Sequence, residues 1–100
     1  MEKFSRTYDL KGIKAAFQTK DDLRITRTAR QHIVKLGLSL EDVVQIIQSL
    51  VPQNFYKSMT TYADSQIWQD VYHVRFNQIE LYIKFMIDDE GHIIVSFKER

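Results

Sequence analysis

The sequence predicts an α+β domain of two layers, with N-terminal helices packed on a C-terminal antiparallel sheet. Three observations predict it. Apolar residues recur with helical spacing through the first half and alternate through the second. From Phe55 onward the composition shifts to β-branched and aromatic residues, which fit a pleated surface. One hundred residues, 44% hydrophobic and 27% charged with three Gly and one Pro, suit one globular domain over 1–100.

The elements follow in order. Leu10, Ile13 and Phe17 share one face of a short amphipathic helix, with Thr7 or Asp9 as its cap. Thr26 caps a second helix that turns Ala29, Ile33 and Leu36 inward and stops at Gly37, a residue free to take positive φ. Ser39 and Asp42 form the S-x-x-D pattern of a third helix. Its stripe is Leu40, Val43, Ile47 and Leu50, and Pro52 ends it because proline cannot donate to the helical ladder. Four strands are expected after that, at 55–62, 67–73, 79–88 and 92–99, joined by hairpin-length turns.

Composition excludes several classes of function. The absence of cysteine removes disulfides, Cys-ligated zinc and thiol nucleophiles. No apolar stretch approaches the roughly 20 residues needed to cross a bilayer. The opening MEKFSRTYDL lacks the apolar run of a signal peptide, so a cytoplasmic location with no membrane partner is expected. No phosphate-binding glycine loop or nucleophile elbow occurs. The three histidines, 32, 73 and 92, fall on different elements, and neither metal nor cofactor is expected. Residues 1–35 carry nine Lys/Arg against four acids, and the remainder five against nine. A basic first third suits either an acidic partner or a solvated helix face.

Alternation sorts the polar residues of the sheet, because residues two apart in a strand share a face. Ile79, Leu81, Ile83, Phe85 and Ile87 belong under the helices with Ile93, Val95 and Phe97. Glu80, Tyr82, Lys84, Met86 and Lys98 are then left on the far side. Trp68 and Tyr72 mark the core side of the second strand, so Gln69, Val71 and His73 also face outward. In the first strand Phe55, Lys57, Met59 and Thr61 share one face, and Tyr56, Ser58, Thr60 and Tyr62 the other. The Lys57 set joins the open face if Lys57 is not buried. That face collects Lys57, Gln69, His73, Tyr82, Lys84 and Lys98: cations to neutralise phosphates and a phenol to meet a base or move a proton. Each of these residues is equally at home as an ordinary solvated or half-buried strand position, so a non-catalytic interaction or regulatory domain is the alternative.

The stretch FYKSMTTYADSQIWQDVY (55–72), the motifs LYIKF (81–85) and IVSFKER (94–100), and the helix opening TRTA (26–29) resemble the motility quorum-sensing regulator (MqsR) family. Its members are toxins of type II toxin–antitoxin pairs. The resemblance spans essentially the whole chain, and its long central stretch is highly specific. It implies a RelE/YoeB-like ribonuclease fold and an mRNA interferase that cuts messenger RNA sequence-selectively and halts translation. It carries over catalytic roles to Lys57, Gln69, Tyr82 and Lys98. Lys84, His73 and Met59, read on the same sheet face and not carried over, are expected RNA contacts. It further implies an MqsA-like antitoxin with a structural zinc, and operator DNA reached only through that antitoxin. One departure stands out: after DVY the family usually continues with Arg and Pro, and this chain reads His73-Val74. The segment from Arg75 to Gln78 differs as well.

Overall fold

The computed structural model describes residues 1–100. Helix α1 (Leu10–Ala16) opens at Asp9, whose carboxylate accepts from the Gly12 N–H at 3.3 Å. That bond satisfies an amide that the helix leaves unpaired. Of the two expected caps, Thr7 does not fill the role; its hydroxyl is shared with Ser58 at 2.9 Å. Helix α2 (Arg27–Lys35) is capped by Thr26, whose side chain accepts from Ala29 N. It closes with Gly37 at φ 74, which lets Gly37 N and Leu38 N turn back to the carbonyls of Val34 and Ile33. Helix α3 (Leu40–Ser49) carries the expected reciprocal cap. Ser39 Oγ accepts from Asp42 N at 3.0 Å, and Asp42 Oδ2 accepts from Ser39 N at 2.9 Å. Single 3₁₀ turns occupy Lys20–Asp22 and Pro52–Asn54.

Five strands form an antiparallel meander whose spatial order is their chain order. They are β1 (Glu2–Lys3), β2 (Phe55–Thr60), β3 (Trp68–Phe76), β4 (Ile79–Ile87) and β5 (Ile93–Glu99). The sequence predicts four. The extra one, β1, is two residues long and therefore carries no periodicity to read. Strand β3 runs past its expected end at His73 to Phe76. The connection to β4 is only Asn77 and Gln78, both with positive φ (49 and 68), a tight hairpin turn whose twist matches the strands.

One more departure decides the site. The β2–β3 register shifts between Phe55, opposite Tyr72, and Lys57, opposite Val71, so Tyr56 is an inserted bulge residue. Phe55 therefore does not share a face with Lys57 and Met59. It packs against the core, its ring 5.6 Å from that of Tyr72. Tyr56 leaves the Ser58 set and stands on the open side, stacked on His73.

The core lies between the helices and one sheet face. Leu10, Ile13, Phe17, Ala29, Ile33, Val43, Ile46, Ile47 and Leu50 meet Tyr72, Leu81, Ile83, Phe85, Val95 and Phe97. Ile79 and Ile93 pack at its margin, as the alternation requires. Ile87 departs: at the end of β4 it is exposed. The β5 edge is closed by Arg24–Thr26, where Val95 N donates to Arg24 O (2.8 Å) and Thr26 N to Val95 O (3.2 Å). This pairing seats α2 beside β5. At the opposite end the buried Asp70 carboxylate accepts from Thr7 N (2.9 and 3.0 Å) and Tyr8 N (2.8 Å). It fixes the segment that joins β1 to α1. No helix is long and apolar enough to cross a membrane.

Candidate nucleic-acid interface

The register of β2 to β5 brings the sequence-predicted residues onto the sheet face away from the core. Tyr82 lies opposite His73 on one side and Lys98 on the other. Lys84 lies opposite Val71 and Ser96, and Val71 opposite Lys57. Met59 lies opposite Gln69. A cleft of ≈ 250 Å³ opens among them. Lys57, Lys84, Lys98 and Tyr82 surround it, Val71 and Met59 line it, and Tyr56 stands at its margin. Val71 is buried although it belongs to the open face, since the longer side chains around it cover it.

Gln69 is set apart from that cleft. It lines an adjoining depression of ≈ 310 Å³ with Ser96, Thr26 and Thr28, and Lys84 borders both hollows. Two residues of the site were not singled out in the sequence. Tyr56 arrives through the bulge. Glu2 arrives on β1 and pairs with Lys57, Nζ to Oε2 at 2.6 Å. That carboxylate holds the Lys57 ammonium above its ordinary pKa, against the desolvation that opposes it.

Lys84 is the opposite case. It sits mid-sheet, half-buried, with no carboxylate partner and no hydrogen bond. Burial pushes its pKa down, and the charges of Lys98 and Lys57 push it further. Three ammonium groups thus share one hollow whose lining contains no acid, and Glu2 answers only one of them. The arrangement is short of negative charge. An anion entering the cleft would relieve both the repulsion and the desolvation.

His73 is wedged rather than free. Its ring stacks on Tyr56 (centroids 4.2 Å apart) and meets Tyr82 edge-on (4.6 Å). Its Nε2 is buried without a partner. Burial, and then the Arg100 guanidinium, lower its pKa, with Glu80 acting weakly the other way. Lodged between Tyr56 and Tyr82, it spaces two phenol rings. Arg100 in turn lies 5.6 Å from the Tyr82 ring centroid, held by Glu80 at 3.1 Å. The surface can therefore bind a polyanion, present flat rings beside it and hold a phenol among cations. Nowhere in the molecule do three or more His, Asp or Glu side chains converge as metal ligands.

The family model described as motility quorum-sensing regulator, toxin of MqsA, matches residues 5–99. The chain is also 42% identical over 78 residues to the mRNA interferase toxin MqsR of Escherichia coli (strain K12), covering 78% of this chain and 79% of that protein.

Proposed function

The chain belongs to the motility quorum-sensing regulator toxin family, and on that premise we propose that it is an mRNA interferase: an endoribonuclease that cuts messenger RNA and so arrests translation. The observation that carries the proposal is the single cleft in which Lys57, Lys84, Lys98 and Tyr82 meet on a helix-free sheet face. RNA brings its own nucleophile, the ribose 2′-OH. The reaction needs the 2′-OH proton removed, the negative phosphorane stabilised and the leaving 5′-oxygen protonated. Attack forms the 2′-O–P bond and breaks the P–5′-O bond, leaving a 2′,3′-cyclic phosphate and a 5′-hydroxyl.

In this reading Lys57 and Lys98 stabilise the phosphorane charge, and Lys84 adds a partly desolvated cation beneath it. Tyr82 transfers the proton, since the Nε2 of His73 is enclosed between rings. Gln69 holds the neighbouring ribose or phosphate from the adjoining hollow. Met59 and Tyr56 contact the nucleotide. No step is assigned to a metal or organic cofactor.

The rest of the reading follows from the same premise. The fold is of the RelE/YoeB-like ribonuclease type, and residues 1–100 act as one domain, a reading supported by the single core cluster that spans Leu10 to Phe97. The protein works in the cytoplasm, where messenger RNA is. It is held inactive by an MqsA-like antitoxin with a structural zinc, and it meets operator DNA only through that antitoxin.

The test is cleavage of a defined messenger RNA in excess EDTA by the wild type and by Lys57→Ala, Tyr82→Phe and Lys98→Ala. Wild-type activity should persist. Each variant should fold and lose on the order of a hundredfold or more in rate, the usual scale for removing a group that moves a proton or holds developing charge. Full activity in all three folded variants overturns the assignment.

A further inference from the structure

Beside the cationic cleft a second hollow, ≈ 340 Å³, lies between α2 and β5. His32, Lys35 and Leu36 line it from the helix, and Lys98 and Glu99 from the strand. Lys98 therefore borders both hollows, which puts the second next to a phosphate that lies on Lys98 in the first.

His32 is the informative residue. Its Nδ1 lies 2.8 Å from the carbonyl oxygen of Phe97. A carbonyl only accepts, so Nδ1 carries the hydrogen and the neutral ring keeps its lone pair on Nε2. That bond also holds the ring against β5, so little rotational freedom is lost when Nε2 is used. Nε2 has no partner in the structure, and in that tautomer it is an acceptor; Lys35 and Lys98 line the same hollow, two ammonium groups against the one carboxylate of Glu99. An acceptor next to cations matches a ligand that offers a hydroxyl donor next to an anion. A ribonucleotide does so, through its 2′-OH and its phosphate.

We propose that the α2–β5 hollow is a flanking-nucleotide subsite: with the scissile phosphate on Lys98, Lys35 holds the phosphate next to it and His32 Nε2 accepts from the ribose 2′-OH of that nucleotide. The subsite rests on the ribonuclease reading above and adds to it a place where RNA is distinguished from DNA outside the attacked ribose.

The test uses a short RNA that the wild type cleaves, remade with each ribose in turn as 2′-deoxyribose. At the attacked position the deoxy sugar abolishes turnover, which checks the ribonuclease reading by itself. At one neighbouring position it should raise KM about two- to tenfold with kcat little changed, the scale of one net hydrogen bond. In His32→Phe that neighbouring penalty should vanish, while the all-ribose parent is bound as weakly as the wild type binds the deoxy substrate. Lys35→Ala, an exposed change that leaves the fold alone, should reduce the salt dependence of RNA affinity by about 0.7 in the log–log slope, as loss of one phosphate contact does on a single strand. The inference falls if no position beyond the attacked one shows a penalty, if His32→Phe keeps it in full, or if Lys35→Ala leaves the slope unchanged. Absence of turnover on the all-ribose parent overturns the ribonuclease reading and the subsite with it.

Discussion

Single residues set the state in which the site waits for its substrate. Glu2 pairs with Lys57 at 2.6 Å, so an incoming phosphate competes with a carboxylate for that ammonium. Glu2→Gln keeps the size of the side chain and removes the competitor. RNA affinity should rise about two- to fivefold at low salt, and the gain should shrink as salt screens the pair it replaces. A fall in affinity would mean that Glu2 holds Lys57 in its working position instead. His73 acts on stability. Its folded pKa lies below the ordinary value because of burial and Arg100, so the unfolded chain binds the proton more readily. The stability this provides is complete above the unfolded pKa, about 6.5, and is lost as pH falls towards the folded value. His73→Phe keeps a ring between Tyr56 and Tyr82. Its melting temperature should drop less than the wild type's between about pH 7.5 and about pH 5.5, a range that spans the imidazole transition. Equal drops would show that His73 is not the group that titrates.

At the scale of elements, what was legible depends on whether a residue keeps its strand's period. The nine-residue strand β4 alternates without interruption, so Leu81, Ile83 and Phe85 point to the core and Tyr82 and Lys84 to the cleft as read. Strand β2 contains a bulge, and one inserted residue moves everything before it to the other face. Nothing in FYKS marks where the insertion falls, so Phe55 and Tyr56 exchange their expected sides while Lys57 and Met59 keep theirs. The turn at Asn77 and Gln78 was hidden for a related reason: Gln seldom takes positive φ, so the pair does not look like a hairpin turn. Helix starts were more legible because caps are local chemistry. The Ser39–Asp42 box is one example. Ser39→Ala removes the acceptor for Asp42 N and should cost about 1 kcal/mol. For a domain of this length that lowers the melting temperature by roughly 4–8 °C, measurable by calorimetry. RNA cleavage at room temperature should be unchanged, because α3 lies on the far side of the sheet from the cleft.

At the scale of the whole molecule, the first nine residues tie the two layers together and also deliver a charge to the site. They begin on the β2 edge, where Glu2 lies opposite Met59, and end at Asp9, where α1 starts under the core face. Between those points the chain is held by Asp70, a fully buried carboxylate on β3 that takes three bonds from Thr7 N and Tyr8 N. Tyr8 Oη donates to Trp68 O at 2.7 Å nearby and adds a second attachment. One core-side residue thus anchors the segment whose other end places Glu2 against Lys57 on the opposite face. Asp70→Asn keeps the volume, but an amide has one acceptor oxygen and directs N–H groups at amides that are themselves donors. The lost bonds, charge-assisted and buried, should cost about 2–3 kcal/mol of stability. The opening should be local first. Hydrogen exchange at Thr7 and Tyr8 should quicken well before exchange at Val95 or Ile83, since terminal segments unfold below the global free energy. If the anchor sets the presentation of Glu2, Asp70→Asn should also tighten RNA binding in the same direction as Glu2→Gln, and the double variant should gain no more than Glu2→Gln alone. Fully additive gains would show that the two faces of the sheet act independently.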